Sequence, residues 1–288
     1  MSTILVTGAN GQLGNEMRNL SSTDPANRYL FTDVQELDIT DLASVQAFLS
    51  ENTVDYIVNC AAYTAVDKAE SDIELCRKIN AFAVENLAKA SAAIGARMIH
   101  VSTDYVYSGT HYMPYIESDA VAPTSVYGVT KLEGEQLLLA ANPASVILRT
   151  SWLYSPYGNN FVKTMLRLGR EREKLSVVFD QVGTPTYAAD LAAAIVTILN
   201  APEFIPGIYN FSDEGVCSWY DFTLTIHRMA GIDTCRVSPI DTADYPSAAT
   251  RPFYSVMNKK KIKVTYGVKI PHWEESLQKC IAILENKN

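Results

Sequence analysis

Short apolar runs alternate with amphipathic segments over the first half of the chain. The runs at residues 4–6, 29–31, 54–58, 98–101 and 146–148 are apolar at nearly consecutive positions, which is typical of strands buried on both faces. Helical periodicity fills the intervals between them. Strands separated by helices imply right-handed crossovers, so the pattern predicts a doubly wound parallel α/β sheet.

Caps and glycines bound the helices that are predicted around these strands. The first helix is predicted over residues 11–20, and a second follows Thr40, whose hydroxyl is placed to cap it. Residues 71–94 are predicted as one long helix that ends at Gly95. A further helix begins near Ser125 and extends to residue 139.

After residue 150 the periodicity loosens. Helices are predicted over residues 159–170, 190–199 and 273–284, with a strand over 177–179. At about 150 residues per domain, the 288-residue chain has room for two domains. We expect a first domain over residues 1–150 and a smaller, irregular α/β lobe over 151–288, some segments of which return to the first domain.

Composition narrows the classes of partner. The 24 basic and 32 acidic side chains give a formal net charge of −8, which would repel nucleic acid and anionic membranes. The five cysteines form no C-x-x-C pair, so we expect neither a disulfide framework nor a zinc site. The N-terminus lacks the basic start of a signal peptide, and no apolar stretch reaches 18 residues. These features favour a cytoplasmic protein without nucleic-acid or membrane partners.

A glycine-rich loop separates the first predicted strand from the first helix. Gly8, Gly11 and Gly14 have a spacing that permits a tight turn, backbone approach to a pyrophosphate and close helix packing. Asp33, after the second strand, is placed to accept hydrogen bonds from an adenosine ribose. Glycines alone would fit a turn without a ligand, but strand, loop, helix and acid together predict a Rossmann-like dinucleotide-binding domain. Asp33 opposes a strict need for a 2′-phosphate without deciding between NADPH and NADH.

Tyr127 and Lys131 lie four residues apart in a predicted helix and therefore share one face. A phenol is a poor acid–base catalyst at neutral pH, and a neighbouring ammonium is expected to lower its pKa, which suits the pair to carbonyl reduction. The alternative is an ordinary surface helix, because both residue types are common. A hydroxyl that bonds the substrate carbonyl is expected at the carboxyl end of the fourth strand, where Thr103 is preferred to Ser102.

Together these residues resemble the extended short-chain dehydrogenase/reductase superfamily. The segments V-S-T-D-Y-V-Y, Y-G-V-T-K-L-E-G-E, R-T-S-W-L-Y, G-N-N-F-V-K-T-M-L and D-Q-V-G-T-P-T are more narrowly similar to the dTDP-4-dehydrorhamnose reductase family. The resemblance implies reduction of the C4 keto group of dTDP-4-dehydro-β-L-rhamnose to dTDP-L-rhamnose, with NADPH or NADH as the cofactor.

The resemblance also implies roles for individual positions. The catalytic set comprises Thr103, Tyr127 and Lys131. The cofactor contacts, in addition to Tyr127 and Lys131, are Gly8, Gly11, Gln12, Leu13, Gly14, Asp33, Asp38, Ile39, Ala62, Tyr63 and Thr64. The substrate contacts, in addition to Thr103, are Asp104, Trp152, Asn160, Lys163 and Arg251.

Mg²⁺ and a homodimer are associated with some members of the family, through acidic residues near a dimer contact. Glu16 and Asp190 stand at comparable places in this chain. The sequence holds no clear carboxylate cluster, so we predict no metal ligands, and the resemblance leaves the homodimer open.

Relatives on this scaffold catalyse other reactions. A dehydratase needs an additional acid and base, commonly Asp-Glu after the Thr, whereas Asp104 is followed here by Tyr105. An epimerase that acts through transient oxidation stays an alternative, as does a non-catalytic dinucleotide-binding subunit similar to the regulatory subunit of methionine adenosyltransferase. The stretches 150–154 and 158–161, on the substrate side, favour the enzyme over the subunit.

Overall fold

A six-stranded parallel sheet forms the centre of the computed structural model, which describes residues 1–286. The strands of the chain are β1 (Ser2–Thr7), β2 (Asn27–Thr32), β3 (Tyr56–Asn59), β4 (Arg97–Thr103), β5 (Val146–Thr150), β6 (Leu153–Tyr154), β7 (Lys174–Val178), β8 (Val182–Gly183), β9 (Thr186–Tyr187), β10 (Gly207–Asn210), β11 (Cys217–Ser218) and β12 (Arg236–Ile240). The central sheet has the order β10-β5-β4-β3-β1-β2, with every neighbouring pair parallel. The predicted doubly wound sheet is therefore confirmed.

Helices cover both faces of this sheet. They are α1 (Gln12–Ser21), α2 (Leu42–Glu51), α3 (Val66–Ala69), α4 (Ile73–Arg77), α5 (Ala83–Ala93), α6 (Val126–Ala141), α7 (Phe161–Glu171), α8 (Ala188–Leu199), α9 (Trp219–Met229), α10 (Lys260–Tyr266) and α11 (Trp273–Glu285). Alternate residues of β1 enter different cores, because successive strand side chains point to opposite faces. Ile4 and Val6 pack with α1 and α8, whereas Leu5 packs with α2 and α5.

The second half of the chain contributes to both the sheet and a separate core. Strand β10 pairs in parallel with β5, and α8 packs beside α1. A third core forms among α7, α9 and α11, with Phe222 and Leu277 fully buried in it. This core lies beyond β5 in the sequence and supplies one wall of the cleft described below. No helix within residues 1–286 is long and apolar enough to cross a membrane.

Two local predictions differ from the structure. Helix α2 is capped by Asp41, which accepts from the Ala43 amide at 3.0 Å, whereas the Thr40 hydroxyl donates to Asp38. The predicted single helix over residues 71–94 has a π-helical segment at Lys78–Phe82 between α4 and α5. A helix there meets α6 at Gly134, where an added Cβ would lie 2.1 Å from the Asn80 carbonyl oxygen. The wider π turn accompanies this close approach.

Candidate active site

A cleft of about 720 Å³ opens at the carboxyl ends of β1, β4 and β5. A second cavity of about 460 Å³ extends beside β2 and shares Gly11, Cys60 and Ala62 with the first. The carboxyl edge of a parallel sheet is the usual place for a ligand in this type of fold. Because the two cavities share lining residues, they form one trough along this edge of the sheet.

The glycine loop forms the floor of this trough. Gly8 has a φ of 66°, and a Cβ there would lie 2.6 Å from the Ala61 amide nitrogen. A Cβ on Gly14 would lie 2.4 Å from the Gly8 carbonyl oxygen, so both positions require glycine. Helix α1 begins after Gly11 without a side-chain cap, and its first residues line the cleft. Uncapped amides at the positive end of a helix dipole fit a pyrophosphate.

Acidic residues mark the end of the trough beside β2. Asp33 follows β2, lines the second cavity, and accepts from the Asn10 amide at 2.9 Å. Asp38 and Ile39 line the same cavity. The Asp38 carboxylate accepts from the backbone and hydroxyl of Thr40, and these bonds lower its pKa. The predicted ribose and adenine contacts are therefore grouped in one place.

The segment after β3 separates into lining and supporting residues. Ala62 and Thr64 line the cleft. Tyr63 is absent from the lining of both cavities among the described residues, and its hydroxyl donates to Asp72 at 3.2 Å. Its backbone is held on both sides by the Asn80 side chain, which accepts from the Tyr63 amide and donates to its carbonyl. The π-helical segment thus positions this wall of the trough.

Thr103, Tyr127 and Lys131 converge in the larger cleft. Ser125 caps α6 by accepting from the Gly128 amide at 3.2 Å, which orients the turn that carries Tyr127. Burial raises the pKa of Tyr127, and a hydrogen bond with Thr103 partly offsets this. The expected lowering of this pKa by a neighbouring ammonium is not what the structure shows, because Lys131 turns its Nζ toward the Val101 carbonyl at 2.6 Å.

Lys131 is 1% exposed, and burial lowers its pKa to about 8. A lysine with this pKa changes its charge close to neutral pH, which few lysines do. Its Nζ also lies 3.3 Å from Nε2 of His100, a fully buried residue of β4. The lysine is therefore held in one orientation at the base of the cleft.

Two further polar side chains at the end of β4 are available to a ligand. Burial raises the pKa of Asp104 to about 6, and its Oδ1 accepts from the Thr103 hydroxyl at 3.0 Å. Its Oδ2 and the Ser102 hydroxyl are buried without a hydrogen-bond partner, and both residues line the cleft. Unpartnered buried polar atoms are costly, which indicates that a polar ligand completes them.

The substrate side of the cleft is formed by residues from distant parts of the chain. Trp152 follows β5 and lines the cleft. Asn160 caps α7 and donates to Gln12 Oε1 at 2.9 Å, which joins this wall to the glycine loop. Lys163 bonds the Gly158 carbonyl at 2.7 Å and is absent from the cleft lining within residues 1–286. Arg251 lines the cleft and pairs with Asp67, which lowers the pKa of that carboxyl to about 2.

Sequence reasoning missed Trp219 and Asp67. Trp219 is the first residue of α9 and forms the far wall with Phe222. The spacing of Ser218 and Asp221 is a capping box, which marks the start of that helix and could have drawn attention to it. No local signal pairs Asp67 with Arg251, which lies 184 positions away.

The acidic residues considered for a metal lie in α1 and α8. Asp190 accepts from the Ser276 hydroxyl at 2.5 Å, and burial raises its pKa. Glu16 is also buried. The described residues contain no group of three or more acidic, His or Cys side chains that could hold a metal ion.

A family model and full-length relatives identify the family of this chain. Residues 1–286 match the family model described as the RmlD substrate binding domain. A dTDP-4-dehydrorhamnose reductase of Aggregatibacter actinomycetemcomitans is 40% identical over 99% of this chain and 100% of that protein. The structure of a dTDP-4-dehydrorhamnose reductase from Clostridium acetobutylicum is 45% identical with a TM-score of 0.94, covering 98% of this chain and 99% of that one. The Bacillus anthracis enzyme in complex with NADP is 40% identical with a TM-score of 0.93 and the same coverage.

Proposed function

Because this chain belongs to the RmlD substrate binding domain family, we propose that it reduces the C4 keto group of dTDP-4-dehydro-β-L-rhamnose to dTDP-L-rhamnose. The observation that carries this is the convergence of Thr103, Tyr127 and Lys131 in one cleft with the glycine loop. NADPH or NADH, bound along the trough, supplies the hydride that reduces the carbonyl carbon. The relatives named as this reductase span the whole chain at about the same length.

Polar side chains of the cleft donate the proton, bind the carbonyl oxygen and bind the ribose. Tyr127 is a protonated phenol at neutral pH and gives its proton to the carbonyl oxygen, since a developing alkoxide is the stronger base. The Thr103 hydroxyl bonds the same oxygen, so charge that develops there meets donors already in place. Lys131 holds the nicotinamide ribose hydroxyls.

The second wall holds the nucleotide sugar. Asp104, with an unpartnered Oδ2, accepts from sugar hydroxyls, and Trp152 packs on the sugar face. Arg251 presents a guanidinium to the diphosphate, and Asp67 fixes its orientation through two hydrogen bonds. Asn160 and Lys163 stand at the dTDP end, Asn160 in the cleft wall and Lys163 behind it.

Substitution Tyr127→Phe tests the proposal. The purified protein should oxidise NADPH or NADH in the presence of the 4-keto nucleotide sugar, followed at the reduced-nicotinamide absorbance band. Loss of the general acid should lower kcat by about 10²–10⁴-fold, while cofactor affinity stays within a few-fold. The matched control is Tyr112→Phe, on a tyrosine that is 84% exposed. Normal turnover by Tyr127→Phe would contradict the assignment of the acid.

A further inference from the structure

A line of buried side chains connects the catalytic lysine to the first strand of the sheet. Thr7, Asn59 and His100 are register partners on β1, β3 and β4, so their side chains stand side by side across the sheet. Each is at most 1% exposed. His100 completes the line at Lys131, with Nε2 and Nζ 3.3 Å apart. None of these contacts is used by the mechanism above.

The backbone fixes the direction of the hydrogen bonds along this line. The Ala61 amide donates to Asn59 Oδ1 at 3.1 Å, and the Thr7 hydroxyl donates to the same oxygen at 2.7 Å. A backbone N–H can only donate, so a flipped Asn59 amide would place its Nδ2 donor against the Ala61 N–H donor. Asn59 Nδ2 therefore faces His100 Nδ1, 3.0 Å away, and donates to it.

The tautomer of His100 follows from this direction. Since Nδ1 accepts from Asn59, the proton of the neutral imidazole lies on Nε2 and points at Lys131 Nζ. An ammonium has three donors and no lone pair, whereas a neutral amine accepts this bond while it donates to the Val101 carbonyl. The hydrogen-bond line thus favours the amine form of the lysine.

We propose that Asn59 and His100 are positioning residues that lock an Nε2–H imidazole against Lys131, so that the free protein favours the neutral amine of this lysine more than an ordinary lysine site does. Where this lysine is a neutral amine, it takes up a proton from solvent when it bonds the ribose hydroxyls as an ammonium, and His100 stays neutral throughout. The ribose-binding role of Lys131 rests on the proposed function, whereas the tautomer of His100 does not.

Other titratable groups also face this site. Glu135, from the same helix α6, and Cys76, from α4, act on Lys131 to raise its pKa. They oppose the burial that lowers it to about 8. Burial, together with the positive charge of protonated Lys131, lowers the pKa of His100, which keeps the imidazole neutral. Neither charge effect sets the direction of the hydrogen bond between His100 and Lys131, which depends on the bond that Asn59 donates to His100.

NMR of the histidine side chains tests the tautomer directly. The chain has four histidines, so the long-range ¹⁵N–¹H spectrum of the ¹⁵N-histidine-labelled free protein contains few signals, and His100→Gln assigns the one that disappears. We expect an Nε2–H pattern for His100. In Asn59→Asp, whose side chain accepts from His100 Nδ1–H when ionised, the pattern should change to Nδ1–H. An Nδ1–H pattern in the unsubstituted protein would overturn the proposal.

The affinity for NADPH provides a second readout that needs no sugar substrate. Binding that requires the ammonium should weaken as pH rises through the pKa of Lys131, about 8 in the free protein. In His100→Gln the amide oxygen accepts from the ammonium, so this decline should move to higher pH by about one unit. His227→Gln, another buried histidine, which bonds the Met165 carbonyl, is the matched control and should leave the decline in place.

The two readouts separate this inference from the proposed function. An unchanged pH dependence in His100→Gln, or an equal shift in His227→Gln, would refute the role of His100. A protein that shows the Nε2–H pattern and the shifted decline, but does not reduce the nucleotide sugar, would support the inference and refute the proposed reaction.

Discussion

Trp152 stacks on Trp219 with ring centroids 3.5 Å apart and an interplanar angle of 11°. Trp152 has a φ of 47°, the left-handed region, which costs a non-glycine residue about 1–3 kcal/mol. The strain persists because the indole is held in the cleft by Trp219. The stack thus fixes a wall of the substrate site from two elements far apart in the sequence.

Removal of the stacking partner should impair sugar binding more than cofactor binding. Trp219→Leu removes an aromatic pair worth about 0.5–1.5 kcal/mol and frees Trp152 to relax. We expect KM for the nucleotide sugar to rise by about three- to ten-fold, with KM for NADPH unchanged, measured by steady-state kinetics. Trp219→Phe retains a ring and should show the smaller effect. Equal increases in both KM values would contradict this view of the stack.

Gly183 should also be necessary for the wall of the substrate site that Trp152 and Trp219 form. A Cβ at this position would lie 2.6 Å from Ser255 Oγ and 2.8 Å from Trp152 Cε2. Gly183→Ala therefore displaces the indole of Trp152, a proposed substrate contact, together with the Ser255 side chain beside it. We expect KM for the sugar to rise about ten-fold or more, equal to about 1.4 kcal/mol.

Gly95→Ala is the control for this substitution. Gly95 lies just after the end of α5. It has a φ of 71°, and the space around its Cβ position is open. Alanine there should lower the melting temperature through backbone strain and leave KM for the sugar unchanged. A KM change in Gly95→Ala as large as that in Gly183→Ala would show that general destabilisation, and not the wall, is responsible.

Local spacing in the sequence predicts the candidate site residues that lie within one element. The glycine loop and the pair Tyr127 and Lys131 each depend on residues a few positions apart, and the structure brings them into one cleft. The strand pattern likewise predicted the parallel sheet, because burial on both faces leaves nearly continuous apolar runs. Such features are determined by backbone geometry and are visible in the sequence.

Contacts between distant segments could not be predicted in the same way. Arg251 and Asp67 meet across 184 positions, and Asn160 meets Gln12 across 148. The pKa of Tyr127 was expected to fall, but burial raises it, because the direction depends on where Lys131 Nζ points. These contacts depend on tertiary packing, which cannot be deduced from a single sequence.

Asp213 should make stability fall as pH rises. It is fully buried, with Oδ2 accepting from the Tyr187 amide and Oδ1 unpartnered, and burial raises its pKa to about 8. Between pH 5 and 8 the unfolded state has lost this proton while the folded state retains it, so the free energy of unfolding decreases with pH. Asp213→Asn abolishes this dependence.

The prediction concerns the difference in unfolding free energy between Asp213→Asn and the unsubstituted protein. The stability of Asp213→Asn relative to the unsubstituted protein should increase by roughly 2–4 kcal/mol from pH 5 to pH 8, measured by urea unfolding. Asp233→Asn, at an exposed position, should show no such trend. A difference that is independent of pH would show that Asp213 is ionised in the folded protein at both values.

Two ion pairs of helix α6 should differ widely in their contribution to stability. Glu135 pairs with Arg149 and Glu133 pairs with Arg77, both at 2.6 Å. The side chains of the first pair are 2–3% exposed, and Arg149 also donates to the Tyr107 hydroxyl, whereas those of the second are 25–46% exposed. Glu135→Gln leaves a buried guanidinium without its counter-charge and should cost about 3–5 kcal/mol of unfolding free energy. Glu133→Gln, on the opposite face of the helix and screened by water, should change it within experimental error. Equal losses in the two variants, measured by urea unfolding at pH 7, would show that pair distance rather than burial sets the contribution.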